Sequence, residues 1–275
     1  MTVHDKYAVM GFPVAHSLSP LMHNAWFAEM GIPAEYGTIE VHNLTTASLR
    51  DVMDAHGVRG VNLTVPLKEE ACSQVDVLDP SAAQAGAVNT ALIRDGVLYG
   101  YNTDGDGFCR GMRHEVGDIG VDPLVVILGA GGAARGILAA LIRQGVTRFV
   151  VLNRTANTAM ALAQQFSGQG VTMDTGGLTP ADFCRLGRSA DVVIHTTSGE
   201  GARRVSGFPV DHLSPRATWV DINYWMDPPP KMQDWAHRQG RFVTGHSMLI
   251  WQAALAFELF TGFLPNPSPF LHQLR

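Results

Sequence analysis

The chain has 275 residues, 46% of them hydrophobic and 16% charged, with a formal net charge of -5. A charged fraction below the usual value of about 25%, on a chain long enough for one large core or two ordinary ones, excludes a disordered or solvating polypeptide. Net negative charge without a basic cluster also excludes the counterion-releasing footprint of a nucleic-acid binder, so a small molecule is the expected partner.

Cys72, Cys109 and Cys184 are widely spaced and form neither a CxxC pair nor a Cys/His cluster. Neither a disulfide framework nor a metal site is expected, and a cytoplasmic location suits them. The opening MTVHDKYAVMGF lacks the pattern of a secretory signal, and glycines or charged residues interrupt the apolar tracts at 123–142 and 248–260. No membrane partner is expected, and the chain is expected to act as a monomer or homodimer.

In chain order, periodicity predicts strand 6–11, helix 20–30, strand 35–41, helix 45–56, strand 60–65 and helix 67–73. Such alternation is the mark of parallel α/β architecture. A hairpin with Asp95-Gly96 at its turn follows, and TDGDGF opens a helix near 105. A second α/β series runs through PLVVILGAGGAARGILAALIRQG, RFVVLNRT, ADVVIHTTS and ATWVDINY. The last helix, 246–261, is apolar around most of its surface and is expected to be buried, returning to the first domain; PNPSPF at 265–270 reads as a proline-rich tail. The fold class is therefore α/β with two domains, one of residues 1–104 plus 245–275 and one of residues 105–244.

GVNLTVPLKE at 60–69 poses a local puzzle. Val61, Leu63 and Val65 alternate with Asn62 and Thr64, giving a strand with one polar, wet face. Pro66 then opens a helix whose first turn carries Lys68, a cation opposing the dipole by about 0.3 to 1 kcal/mol. Asn89 in AGAVNT and Asp104 in GYNTDG sit at element ends, where each reads as a turn or cap residue. If Lys68 and Asp104 meet at a domain seam, about 4 kcal/mol of attraction is available at 4 Å with an effective dielectric of 20, before desolvation. A lysine so paired can exchange a proton with a substrate hydroxyl.

The strand 124–128 runs into Gly129-Ala130-Gly131-Gly132-Ala133-Ala134 and a helix, the setting in which GxGxxG/A binds a dinucleotide. Gly129 permits the tight turn, Gly131 admits a pyrophosphate to the backbone, and Ala134 keeps helix and strand close. The next strand ends in Asn153-Arg154-Thr155, without the carboxylate that would bind a ribose 2′-hydroxyl, and Arg154 can pair with a 2′-phosphate. NADP is the expected cofactor. The same three residues also suit the cap of the following helix.

Near the N-terminus, HSLSPLMHN sets Ser19 as a cap before Pro20, and leaves Ser17 with no role in that cap. Two hydroxyls beside helix-terminal amides make a site for a carboxylate. His16, His23 and His246 offer a rival general base, though helix-face and loop histidines are more often structural.

HSLSPLMHN, GVNLTVPLKE, GAVNT, GYNTDG, GAGGAARG, NRT and GHSMLIWQAALAFELFTG, in this order and spacing, resemble the motifs of the shikimate dehydrogenase family. The resemblance spans nearly the whole chain. It implies an N-terminal α/β substrate domain, a Rossmann-like NADP-binding domain, and Lys68 with Asp104 as the catalytic pair. It further implies that Ser17, Ser19 and Tyr224 hold the substrate carboxylate, and that Asn62, Thr64, Asn89 and Gln252 contact ring hydroxyls or the catalytic groups. Gly129, Ala130, Gly131, Gly132, Ala133, Asn153, Arg154, Thr155, Gly245 and Met248 would line the cofactor site. The implied reaction is reversible reduction of 3-dehydroshikimate to shikimate, in the route to aromatic amino acids, with domain closure expected.

Two stretches depart from the family pattern. His195-Thr196-Thr197-Ser198-Gly199-Glu200 replaces an Asn-Ala-Thr-like segment, and Tyr224-Trp225-Met226-Asp227-Pro228-Pro229 replaces Tyr-x-Pro-x-x-Thr. These bear on substrate preference and keep a quinate or aminoshikimate dehydrogenase as the alternative. A dinucleotide-sensing pseudoenzyme is a further one, opposed by the intact Lys68 and Asp104.

Overall fold

A computed structural model describes residues 5–224, 227–238 and 240–273. The chain divides into two compact units, one of residues 1–108 with 249–275 and the other Cys109–Met248. The elements predicted in chain order are present, most within one or two residues of the expected ends.

Unit 1 begins β1 (Asp5–Gly11), α1 (Ser19–Glu29), β2 (Ala34–Glu40), α2 (Leu49–His56), β3 (Gly60–Leu63) and α3 (Leu67–Glu70), the last continued by one 3-10 turn over Ala71–Ser73. Then come β4 (Val77–Leu78), α4 (Pro80–Ala85), β5 (Thr90–Arg94), β6 (Val97–Tyr101) and α5 (Asp104–Val116), the last of which crosses into unit 2. Its six strands lie in the order β2-β1-β3-β5-β6-β4, with β5 antiparallel to both β3 and β6 and the other pairs parallel. Asp95 and Gly96 take φ of 51° and 78°, the left-handed pair that a two-residue hairpin demands. Ser48 caps α2 reciprocally with Asp51, closing both orphan amides.

Alternation along β1 sends Ala8 and Met10 into one core with Val61, Leu63 and Met53, and Tyr7 and Val9 into another with Trp26, Phe27 and Phe257. The second core is closed by the last helices, which explains the all-round apolarity of that segment. The proline-rich tail is partly a helix, with Phe270 edge-on to Trp26 at 5.5 Å, because its apolar residues have a core to complete.

His23 lies at the centre of this core, fully buried, its ring stacked on Tyr36 at 4.2 Å and both nitrogens without partners among the described residues. It is a core residue, not a general base. Burial lowers its pKa to about 3. The unfolded chain binds this proton near pH 6.5 and the folded chain only near 3, so the contribution is complete above 6.5 and is lost as pH falls toward 3. The loss at the acid end is about 5 kcal/mol at 1.36 kcal/mol per pH unit. Urea midpoints between pH 7 and pH 4 should therefore fall more steeply for the native chain than for His23→Phe; parallel curves would acquit this residue.

Unit 2 holds β7 (Leu124–Leu128), α6 (Gly132–Arg143), β8 (Arg148–Asn153), α7 (Ala156–Gln165), β9 (Thr172–Gly177), α8 (Pro180–Gly187), β10 (Val192–His195), α9 (Gly199–Val205), β11 (Thr218–Asp221), α10 (Pro230–Arg238) and β12 (Arg241–Thr244). The final helices are α11 (His246–Thr261), which runs on into unit 1, and α12 (Ser268–Gln273). All strands of unit 2 are parallel, in the order β12-β11-β10-β7-β8-β9. The order reverses between β7 and β10, the switch point where doubly wound sheets bind ligands at strand C-termini. The runs VVIL, FVVL and VVI are buried on both sides, as a helix-covered parallel sheet requires.

Candidate functional site

The side chain of Lys68 reaches Asp104 within unit 1. Nζ donates to Asp104 Oδ2 at 2.5 Å, and Asn89 Nδ2 donates to the other carboxylate oxygen at 2.8 Å. Asp104 is 5% exposed and Lys68 20%, so water reaches the amine but hardly the carboxylate. The Lys68 backbone is tied down by Val88 N–H at 2.8 Å, and the Asp104 amide donates to Asn102 Oδ1 at 3.1 Å. The helix bearing Lys68 is only four residues long. Its dipole is correspondingly small, so the penalty expected from sequence largely vanishes.

Asn62 departs from the expected wet strand face. The strand stops at Leu63, and Asn62 is 7% exposed, donating to Thr90 Oγ1 at 2.9 Å and accepting from Tyr36 Oη at 2.7 Å. Thr64 lies past the strand end and half-buried, its methyl in the space that a side chain on Gly11 would need. Asn89 accepts from Thr90 Oγ1 at 2.9 Å and from Thr103 N–H at 2.8 Å, and also donates to Thr103 Oγ1 at 2.9 Å. Thr90, Thr103 and Tyr36 thus belong to the cluster although their sequence signal, hydroxyls in apolar strands or at strand ends, is no different from ordinary packing.

Neither serine makes the cap expected of Ser19. Ser19 is the first helical residue, without a cap bond, and its amide donates to Ser17 Oγ at 3.3 Å. Ser17 Oγ thus turns toward the first amide of α1 without capping it in the usual way, since the N-cap position is Leu18, and Ser19 itself is buried. Gln252 is held by Thr103 Oγ1 through its backbone carbonyl at 3.1 Å, while its amide donates one turn back to Leu249 O at 2.8 Å. His16 is exposed.

In unit 2 the glycine loop follows β7. Gly129 has φ +118°, and a Cβ there would fall 2.4 Å from Thr196 Oγ1. Gly131 precedes α6 as its N-cap, with open space where a side chain would stand. Ala130 is buried, Gly132 and Ala133 are half-buried, and Arg135 keeps a buried Nε with no partner among the described residues. An open backbone at a helix start, a buried guanidinium Nε without a partner among the described residues and the switch-point position fit a dinucleotide pyrophosphate.

Asn153 donates to Thr155 O at 3.0 Å, and Thr155 makes no side-chain cap, so the capping alternative is not realised by that hydroxyl. Arg154 is exposed, 3.3 Å from Glu200 Oε2. Hydrogen bonds from Arg204, and then its charge and that of Arg154, hold the Glu200 carboxyl below its usual range. The first departure thus places an acidic residue against the expected phosphate binder. It also forms a buried relay, with His195 Nδ1 2.8 Å from Asp221 and Nε2 2.7 Å from Thr197 Oγ1.

Gly245 is buried, and a Cβ there would lie 2.3 Å from Ile222 O, so its role in unit 2 is close packing. The Met248 amide stands opposite the missing side chain of Gly111. Tyr224, its hydroxyl pKa raised by burial, has its ring 5.8 Å from that of His246, whose own pKa is lowered by burial. In the second departure, Trp225 and Met226 lie outside the described residues.

Three family models cover most of the chain: shikimate dehydrogenase substrate binding domain over 9–91, shikimate / quinate 5-dehydrogenase over 117–224, and shikimate 5′-dehydrogenase C-terminal domain over 245–275. The sequence is 37% identical to the shikimate dehydrogenase (NADP(+)) of Cupriavidus pinatubonensis, across 98% of this chain and 94% of that one. The chain belongs to the shikimate dehydrogenase family.

Solved members of this family share the fold. A Thermus thermophilus shikimate 5-dehydrogenase in complex with NADP(H) and shikimate matches with a TM-score of 0.80 at 33% identity, covering 98% of both chains. A quinate dehydrogenase from Corynebacterium glutamicum in complex with NAD matches with a TM-score of 0.84 at 27% identity, covering 98% of both. Among the described residues, no helix is long and apolar enough to cross a membrane.

Proposed function

We propose that this chain is an NADP-dependent shikimate dehydrogenase, reversibly reducing 3-dehydroshikimate to shikimate. The observation that carries the reading is the Lys68–Asp104 pair, set in buried polar partners on a chain of this family. Unit 1 binds the ring acid and unit 2 the dinucleotide. When bound, NADPH would supply the hydride in reduction and NADP+ would accept it in oxidation. Ser17 and Ser19 hold the substrate carboxylate together with Tyr224, while Asn62, Thr64, Asn89 and Gln252 contact ring hydroxyls or the catalytic groups, Asn89 doing the latter at Asp104. Lys68 delivers a proton to the oxygen of the reduced carbon, or removes it in oxidation, and Asp104 fixes the amine in line.

Gly129, Ala130, Gly131, Gly132 and Ala133 with the start of α6 take the pyrophosphate, and Asn153, Arg154 and Thr155 the 2′-phosphate, with Gly245 and Met248 completing the site. Glu200 must yield its hold on Arg154, which is a small demand because an exposed ion pair is weak beside a guanidinium–phosphate contact. Arg154→Ser should raise KM for NADP about 10- to 100-fold, the worth of one or two charge-assisted bonds, and leave KM for NAD nearly unchanged. Equal effects on both cofactors would remove Arg154 from phosphate recognition.

The second reading, quinate as the preferred ring, is supported by the family model that names both rings and by the fold shared with the Corynebacterium enzyme. Initial rates with shikimate and quinate, each with NADP and with NAD, decide between them: faster turnover of quinate overturns the first reading.

A further inference from the structure

At the C-terminal ends of β10 and β11, unit 2 carries a closed ring of polar contacts that the roles assigned above leave unused. His195 Nδ1 stands 2.8 Å from Asp221 Oδ2, and Nε2 stands 2.7 Å from Thr197 Oγ1. The other Asp221 oxygen accepts from the Asn223 backbone N–H at 2.9 Å and from its Nδ2 at 2.8 Å, and Nδ2 also donates to Thr197 O at 2.9 Å. The ring has a direction. A carboxylate only accepts, so Nδ1 carries the proton given to Asp221, and in the uncharged imidazole Nε2 takes the Thr197 hydroxyl proton. With that proton committed, Thr197 Oγ1 has only lone pairs left to offer a ligand.

Thr197 stands at the switch point of the sheet. The backbone amide and the hydroxyl of Thr196 both donate to Leu128 O at 2.9 Å, which ties the segment after β10 to the end of β7, where the glycine loop begins. A side chain on Gly129 would come 3.0 Å from the Thr197 methyl, and one on Gly201 in α9 would come 2.8 Å from its Cβ. Thr197 is thus wedged between the glycine loop and α9. In a doubly wound sheet β7 opens the half that takes the first nucleotide and β10 the half that takes the second, so Thr197 belongs to the nicotinamide half. A histidine serving only to join β10 to β11 would be redundant. Paired positions from Val192 with Thr218 through His195 with Asp221 already do so, and a hydrocarbon at 195 would avoid holding a carboxylate at 15% exposure.

We propose that His195 is a positioning residue of the cofactor site. Held by Asp221, it takes the Thr197 hydroxyl proton and fixes Thr197 Oγ1 as an acceptor for a ribose hydroxyl in the nicotinamide half of the dinucleotide. The residue therefore acts on recognition of the whole dinucleotide and not of its adenosine half. This rests on the reading of unit 2 as the NADP-binding domain.

Titration calorimetry on the full chain compares dissociation constants for NADP+ and for adenosine 2′,5′-bisphosphate, which lacks the nicotinamide half. Thr197→Val keeps the shape and loses the hydroxyl; it should weaken NADP+ about tenfold, the worth of one hydrogen bond, and leave the bisphosphate within a factor of about two. Thr197→Ser should bind both as the native chain does. His195→Phe keeps a ring without its nitrogens and should give the same split as Thr197→Val. Asp221→Asn tests the direction of the ring with little change of shape. Asn223 still requires an oxygen at its side of residue 221, so the new amide nitrogen faces His195, moves the ring proton to Nε2 and spends a Thr197 lone pair. It too should weaken NADP+ about tenfold with the bisphosphate unchanged, and combining it with Thr197→Val should add no further loss. Equal losses on both ligands, no loss on NADP+, or additive losses in the double variant overturn the proposal. A native chain that binds neither ligand sinks the cofactor reading of unit 2 and this proposal with it.

Discussion

Lys68→Ala is expected to lower kcat for shikimate by about 10²- to 10⁴-fold, the usual share of a positioned general acid or base. Removing the amine leaves Asp104 with the Asn89 donor alone at one oxygen, in a place only 5% exposed. Such a half-paired carboxylate costs stability, but the 20% exposure of Lys68 means that water can enter the vacated volume and moderate that cost. The variant should therefore unfold cooperatively at a lowered temperature, and its rate, followed by NADPH absorbance well below that temperature, should remain depressed at every substrate concentration. A rate equal to that of the native chain would show that another group moves the proton.

Gly107→Ala should be nearly as damaging, although nothing about its backbone is unusual. Gly107 lies within α5, where alanine would ordinarily gain up to about 1 kcal/mol of helix propensity. The added methyl, however, would fall 2.6 Å from the Gln252 amide nitrogen and 2.7 Å from its Cα, on α11. Backbone cannot rotate away as a side chain can, so overpacking of about 1 to 3 kcal/mol outweighs the gain. The displaced residue is one assigned to the ring substrate, so kcat/KM for shikimate should fall at least about tenfold together with the melting temperature. A more stable and fully active variant would show that the helices separate freely.

The residues legible in the sequence were those whose chemistry conflicted with their local setting. Lys68 in a first turn, a glycine-rich turn after an apolar strand, and a strand ending in Asn153-Arg154 all stood out for that reason. Asn62 could be picked out but not placed. Alternation alone assigns a polar strand residue to solvent, whereas here the buried hydroxyls of Tyr36 and Thr90 and the Asn89 carbonyl satisfy it. Ser17 and Ser19 were recognised as a pair, yet the cap expected of Ser19 is lost because helix 19–29 begins one residue earlier. Tyr36 was invisible because its ring meets the apolar pattern of the strand and only its oxygen departs from it. The Gln252 amide, folded onto its own helix, is likewise a choice of rotamer that no spacing rule encodes.

The core closing around Trp26 and Phe27 is assembled from distant parts of the polypeptide, since Ile250, Ala253, Ala254 and Phe257 come from α11. About 140 residues, those of unit 2, intervene. At 5 to 20 residues per second, a ribosome needs roughly 7 to 28 s to make that stretch. During synthesis, the aromatic face of α1 must wait uncovered while unit 2, continuous in the chain, has all its strands available to fold. The nascent protein is thus expected to complete its nucleotide-type sheet first, leaving the apolar residues of the 22–27 segment open to any holding chaperone during the interval.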